Sequence, residues 1–137
     1  MKKIVLGYDE SEAAKRALER VAQIAKAFDS EVIVTSVAPA MTSIGRSAGP
    51  VDPTDPPSAH IEELKHAKTY IDSEGLQADY VPALGRPADT IAQLAEERCA
   101  DLIVVGTHER NAIARLLGQS VSESVAHKVH CDVLIVH

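Results

Sequence analysis

Two short apolar runs that do not alternate set the strongest constraint on this chain. They are KKIVLGY at residues 2–8 and EVIVTSVA at Glu31–Ala38. A strand with one wet face alternates apolar and polar residues. A continuous apolar run, rich in β-branched residues, belongs to a strand covered on both faces, as in a parallel sheet. Between these runs lies DESEAAKRALERVAQIAKAF, where Ala14, Leu18, Val21, Ala25 and Phe28 recur at helical spacing. Asp9 or Ser11 is placed to cap that helix. Further along, Ile61, Leu64, Ala67 and Ile71 mark a second helix that ends near Gly75, and QADYVPAL reads as a third strand. GRP at 85–87 is a turn, with Pro87 suited to open a third helix whose inner face is Ile91, Leu94, Ala95 and Cys99. ADLIVVG follows as a fourth strand. Val121, Val125 and Val129 predict a helix over 121–129, and CDVLIVH closes as a fifth strand.

The order β-α-β-loop-α-β-α-β-α-β predicts an α/β fold: a parallel sheet, helices on both faces and right-handed crossovers. No internal repeat interrupts it. Ligands of such sheets sit beyond the carboxyl ends of the strands, where strand order reverses. Those ends carry Asp9, residues 37–39, residues 83–85 and residues 106–109. The exception to the alternation is PAMTSIGRSAGPVDPTDPPS at 39–58, with prolines at 39, 50, 53, 56 and 57. It reads as a long loop, since proline is excluded from helix interiors and inner strands. With 137 residues, the chain is expected to form one domain. Its aromatic residues are Tyr8, Phe28, Tyr70 and Tyr80 alone, so the core must be aliphatic.

Several function classes lose their support on composition and motif. A formal net charge of -6 argues against a nucleic-acid or anionic-membrane binder. No apolar run approaches the roughly 20 residues of a membrane span. Cys99 and Cys131 form no CxxC pair and read as buried, reduced thiols of a cytoplasmic protein. Gly7 is followed by Tyr8 and Asp9, so there is no G-x-G-x-x-G, and no G-x-x-x-x-G-K-[ST] occurs. The histidines, among them His60, His66, His127 and His130, lack zinc spacing, and no metal site is expected. No G-x-S-x-G elbow backs a hydrolase triad. Glu62, Glu63, Glu96 and Glu97 read as solvated helix faces. Asp9 stands apart. At a strand end it serves equally as a helix cap or as an acceptor for a ribose hydroxyl or a base amino group.

The opening KKIVLGYDESEAAKRAL, the central LGRPADTIAQLAEERCADLIVVGTH and the closing SVSESVAHKVHCDVLIVH resemble the universal stress protein family along nearly the whole chain. The D-x-S turn, the G-x-P…DLIVVG segment and the final DVLIV, in this order and spacing, carry the resemblance. It implies a three-layer, open five-stranded parallel sheet of order 3-2-1-4-5. It also implies a cytoplasmic homodimer, often joined through the last strand, here Val133–Val136. In many members an adenine nucleotide lies across the strand ends.

On that resemblance the nucleotide-binding positions are Asp9, Val37, Gly106, His108, Arg110, Gly118 and Ser120. Members that bind nucleotide carry Gly, two residues, Gly, nine residues, then Gly and a hydroxyl residue after the fourth strand. Here Gly106 fills the first position, Glu109 the second and Gln119 the third, followed by Ser120, while Gly118 falls one residue early. The glycines let backbone N–H groups approach phosphate. A glutamate adds like charge, costing roughly 1 to 4 kcal/mol per unit charge at about 4 Å as the effective dielectric falls from water to near 20. His108, Arg110 and Arg115 offset it if they point inward.

The expected function is therefore a stress-response binding or signalling module, not a turnover enzyme, that takes AMP, cyclic AMP or adenosine better than ATP. Two alternatives stay open: a stress protein that binds no nucleotide and works through protein contacts, and slow ATP hydrolysis or phosphotransfer at the same crevice. A phosphorylated receiver is disfavoured, because Asp9 resembles only one piece of its acidic pocket and a suitable lysine after the last strand is lacking.

Overall fold

A computed structural model of the chain describes residues 2–38, 57–85, 87–106 and 131–137. Strands β1 (Lys3–Gly7), β2 (Glu31–Ala38), β3 (Ala78–Leu84), β4 (Leu102–Gly106) and β5 (Asp132–Val136) alternate with helices α1 (Glu12–Phe28), α2 (Pro57–Ser73) and α3 (Pro87–Glu97). The five strands form one parallel sheet in the order β3-β2-β1-β4-β5. The helix expected over 121–129 and most of the 39–58 loop lie outside the described residues.

The continuous apolar runs have a direct cause. Successive strand residues point to opposite faces, and both faces are covered. Ile4, Leu6, Val32, Val34, Leu102 and Val104 pack on one face with Ala17, Leu18 and Val21 of α1 and Leu64, Ala67 and Ile71 of α2. Val5, Ile33, Ile103 and Val105 pack on the other with Ile91, Leu94 and Ala95 of α3. The edge strand β3 is less covered, and half-buried and exposed positions are interspersed along it. Its Pro82 lies in an edge position, where a missing N–H breaks no inner ladder.

Four local expectations change. The apolar stripe of α1 ends at Ala25, and Phe28, the last helical residue, is 59% exposed. The proline-rich loop ends earlier than 58, because Pro57 sits at the first position of α2, where its missing N–H costs no helical bond. Ile61, expected on the inner face of α2, is exposed. The inner face of α3 stops at Ala95, since the helix ends at Glu97 and Cys99 turns outward in a left-handed conformation (φ 55°). Cys99 is therefore exposed and Cys131 half-buried, not two buried thiols as expected; both are free. Among the described residues, no helix is long and apolar enough to cross a membrane.

Candidate functional site at the carboxyl ends of the strands

In this strand order the chain moves outward to one side from β1 to β2 and returns to the other side with β4. The reversal opens a crevice between the carboxyl ends of β1 and β4. Asp9 stands just past β1, and Gly106 is the last residue of β4. Sequence reasoning left the helix cap open between Asp9 and Ser11. Ser11 is the cap: its Oγ accepts from Ala14 N–H at 3.1 Å. Asp9 Oδ1 in turn accepts from Ser11 N–H at 3.0 Å, a short turn that fixes its carboxylate at the crevice edge. Between them, Glu10 adopts a left-handed backbone (φ 63°), rare for a residue with a Cβ.

Gly106 has a reason beyond any phosphate. A Cβ there would lie 2.7 Å from the Ala13 carbonyl carbon and 2.8 Å from Ala14 N. The first turn of α1 rests against the end of β4, and only glycine lets it. Gly85 is likewise required, at φ 133° with a Cβ position 2.9 Å from Thr90 Oγ1 in the β3–α3 turn.

Val37, at the end of β2, is half-buried against the α3-side core. Beside it, sequence reasoning missed a polar contact. Ser36 is 1% exposed, and its hydroxyl donates to Glu63 Oε1 of α2 at 2.8 Å. Glu63 is thus half-buried and engaged, not part of a solvated face as expected. Thr35, equally buried, donates from Oγ1 to the Val81 carbonyl at 2.7 Å. The signal was present: hydroxyls inside a buried apolar run need partners. One turn beyond Glu63, His66 Nδ1 contacts Glu10 Oε2, tying α2 to the β1–α1 turn. Burial, and then the carboxylates of Glu63, Asp9 and Glu12, push the Tyr8 phenol above its ordinary value. Burial is the larger cause, and the carboxylates around the ring add to it.

Asp9, Val37 and Gly106 therefore surround the same end of the sheet. His108, Arg110, Gly118 and Ser120, with Glu109 and Gln119, lie outside the described residues. Among the described residues no group of three or more His, Cys, Asp or Glu is arranged to hold a metal ion.

These features define a doubly wound α/β protein with its crevice at the β1/β4 switch point. The universal stress protein family model matches residues 1–137. A universal stress protein of Mycobacterium tuberculosis is 37% identical over 142 residues, covering 99% of this chain and 96% of the relative. One from Methanocaldococcus jannaschii is 33% identical over 138 residues, covering 98% and 81%. The chain belongs to the universal stress protein family. Among solved structures, a universal stress protein in complex with cAMP is 31% identical, with a TM-score of 0.69 over 99% of this chain and 97% of that one. The Archaeoglobus fulgidus protein in complex with dAMP, 24% identical, attests the fold with a TM-score of 0.74 over 100% and 98%.

Proposed function

We propose that this protein is a cytoplasmic, homodimeric binding module of the stress response that takes an adenine nucleotide in the β1/β4 crevice. AMP, cyclic AMP or adenosine is preferred over ATP. The observation that carries this reading is the fixed Asp9 carboxylate at the strand-order reversal. An ionised carboxylate is an acceptor with about four lone-pair sites, the chemistry that a ribose hydroxyl or a base amino group needs. The cAMP complex of a 31% identical relative supports the same ligand class.

The preference for low charge is supported by the crevice rim. Asp9, Glu10, Glu12 and Glu63 gather on the described side, and Glu109 occupies a position where nucleotide-binding relatives are expected to have glycine. Each added ligand charge near such a rim costs roughly 1 to 4 kcal/mol at about 4 Å. The contacts of Asp9 with Ser11 and of Glu63 with Ser36 favour binding over turnover, since they tie these carboxylates to backbone and strand. His108, Arg110, Gly118 and Ser120 complete the proposed site. Unpaired thiols at Cys99 and Cys131 support a reducing compartment.

The dimer is supported by β5, an edge strand with Val133, Leu134 and Ile135 each half-exposed. An open apolar edge invites a two-fold partner. Sedimentation of Ile135→Pro should give monomer, and an unchanged dimer would refute the seam. For the ligand, mass spectrometry of small molecules released from the natively purified protein should find AMP, cyclic AMP or adenosine. Release of ATP alone would overturn the preference.

A further inference from the structure

We propose that Glu10 and His66 are positioning residues for Asp9, forming a clamp that tightens as His66 gains a proton. Glu10 lies between Asp9 and the capping Ser11, in the left-handed region at φ 63°. A residue with a Cβ holds that conformation at a steric cost, so something must favour it. Its side chain reaches α2, where Glu10 Oε2 meets His66 Nδ1. The contact spans 56 residues of sequence and joins the β1–α1 turn, at the crevice edge, to α2, which packs on β2 and β3. One turn back on α2, Glu63 holds Ser36 at the end of β2. The same helical face thus grips the β1–α1 turn and the β2 terminus together.

Histidine is the side chain whose charge ordinarily changes between pH 5 and 8. When His66 is protonated its contact with Glu10 becomes an ion pair, and when neutral it is a hydrogen bond at most. Charged and titratable groups surround the pair from several elements. On α2 itself these are Glu62, Glu63 and Lys65, with Lys65 engaged by Glu62 at 3.0 Å. From the β1–α1 turn come Glu10, Asp9 and Tyr8, whose phenol is neutral in this pH range, and from α1 Glu12. β2 presents the uncharged Ser36. His66 is 63% exposed and Glu10 30%, so the effect is that of a surface pair, about two- to fivefold.

The clamp itself is tested without ligand; only the second arm of the experiment rests on the nucleotide reading above. Amide exchange, corrected for intrinsic rate, is followed at Ser11 and Ala14 at pH 5.5 and pH 8, with Val21 in the core of α1 as reference. The Ser11 and Ala14 amides report directly on the bonds to Asp9 and to the cap. Wild type should gain about two- to fivefold protection at pH 5.5 relative to Val21, and His66→Gln and Glu10→Gln should lose that gain. Equal pH responses in wild type and both variants would overturn the clamp. So would a uniform loss of protection at both pH values, the signature of a merely structural contact. In the second arm, AMP affinity should strengthen by a similar factor at pH 5.5 in wild type only. No AMP binding at either pH, with the amide response intact, would remove the ligand reading and leave the clamp. AMP binding with the same pH dependence in wild type and His66→Gln would remove the clamp and leave the ligand.

Discussion

At the amino ends of the strands cations and carboxylates meet in pairs, whereas at the carboxyl ends carboxylates gather around the β1–α1 turn. Asp101 Oδ2 accepts from the backbone of Lys2 at 2.8 Å and of Lys3 at 3.0 Å. Lys3 faces Glu31 at 3.8 Å, and Arg98 faces Asp79 at 3.0 Å. The Lys3–Glu31 and Arg98–Asp79 pairs rim a groove of about 260 Å³ and leave it balanced in charge. At the opposite end Asp9, Glu12 and Glu63 gather around Tyr8, with Glu12 also facing Lys15 at 3.4 Å and Glu10 meeting His66. Paired surface charges add little and hold the chain in register. Carboxylates gathered where strand order reverses mark a candidate ligand site. The amino end is accordingly read as scaffold and the carboxyl end as site.

Substitutions at the two ends should separate these roles. The largest stability effect is expected from Gly106→Ala, because the added Cβ meets the backbone of α1 and neither element can yield cheaply. A loss of about 1–3 kcal/mol in chemical denaturation is predicted. A loss of nucleotide binding without destabilisation would make Gly106 a ligand residue first. Next, Ser11→Ala should cost about 1 kcal/mol by removing the cap, measured the same way, and should also weaken any ligand held by Asp9.

The amino end should respond through pH and not through ligand. Hydrogen bonds from the Lys3 and Lys2 backbone hold the Asp101 carboxyl below the ordinary aspartate value. Its contribution is complete above the unfolded value, near 4, and is lost as pH falls through the lower folded value. Asp101→Asn should lower the melting temperature at pH 7 while leaving ligand affinity unchanged, and the difference from wild type should shrink below pH 4. Smallest of all, Arg98→Ala should change stability by about 0–1 kcal/mol, since Arg98 and Asp79 are both well exposed. A larger loss would mean that the amino-end groove does more than bind the scaffold together.

Much of the scaffold was legible in sequence because it rests on local periodicity. β1 and β4 read as inner strands from unbroken apolar runs, and they are buried on both faces. Helix α1 was visible from Ala14 to Ala25, but the same period carried one step too far to Phe28, which no strand reaches. Pro57 was read as loop because proline usually stops helices; at a first helical position it starts one. Cys99 continued the period of α3 on paper, yet the chain had already turned at Glu97.

The site was less legible, because its contacts cross elements. Nothing near Glu63 in sequence announces Ser36, 27 residues away. Nor does local pattern join Glu10 to His66. Gly106 was read as a phosphate-loop glycine, while its described neighbours show a helix backbone that leaves no room for a side chain. The place of Asp9, just past a strand end where order reverses, was read directly from the alternation of elements.

The central claim is that the crowded carboxyl end binds an adenine mononucleotide through Asp9. Calorimetric titration of AMP, cyclic AMP and ATP into wild type and Asp9→Ala, at one salt concentration, tests it most directly. AMP or cyclic AMP should bind at least about tenfold more tightly than ATP, equivalent to about 1.4 kcal/mol, and Asp9→Ala should abolish the binding. Tight ATP binding without AMP or cyclic AMP binding, or affinity unchanged in Asp9→Ala, would contradict it.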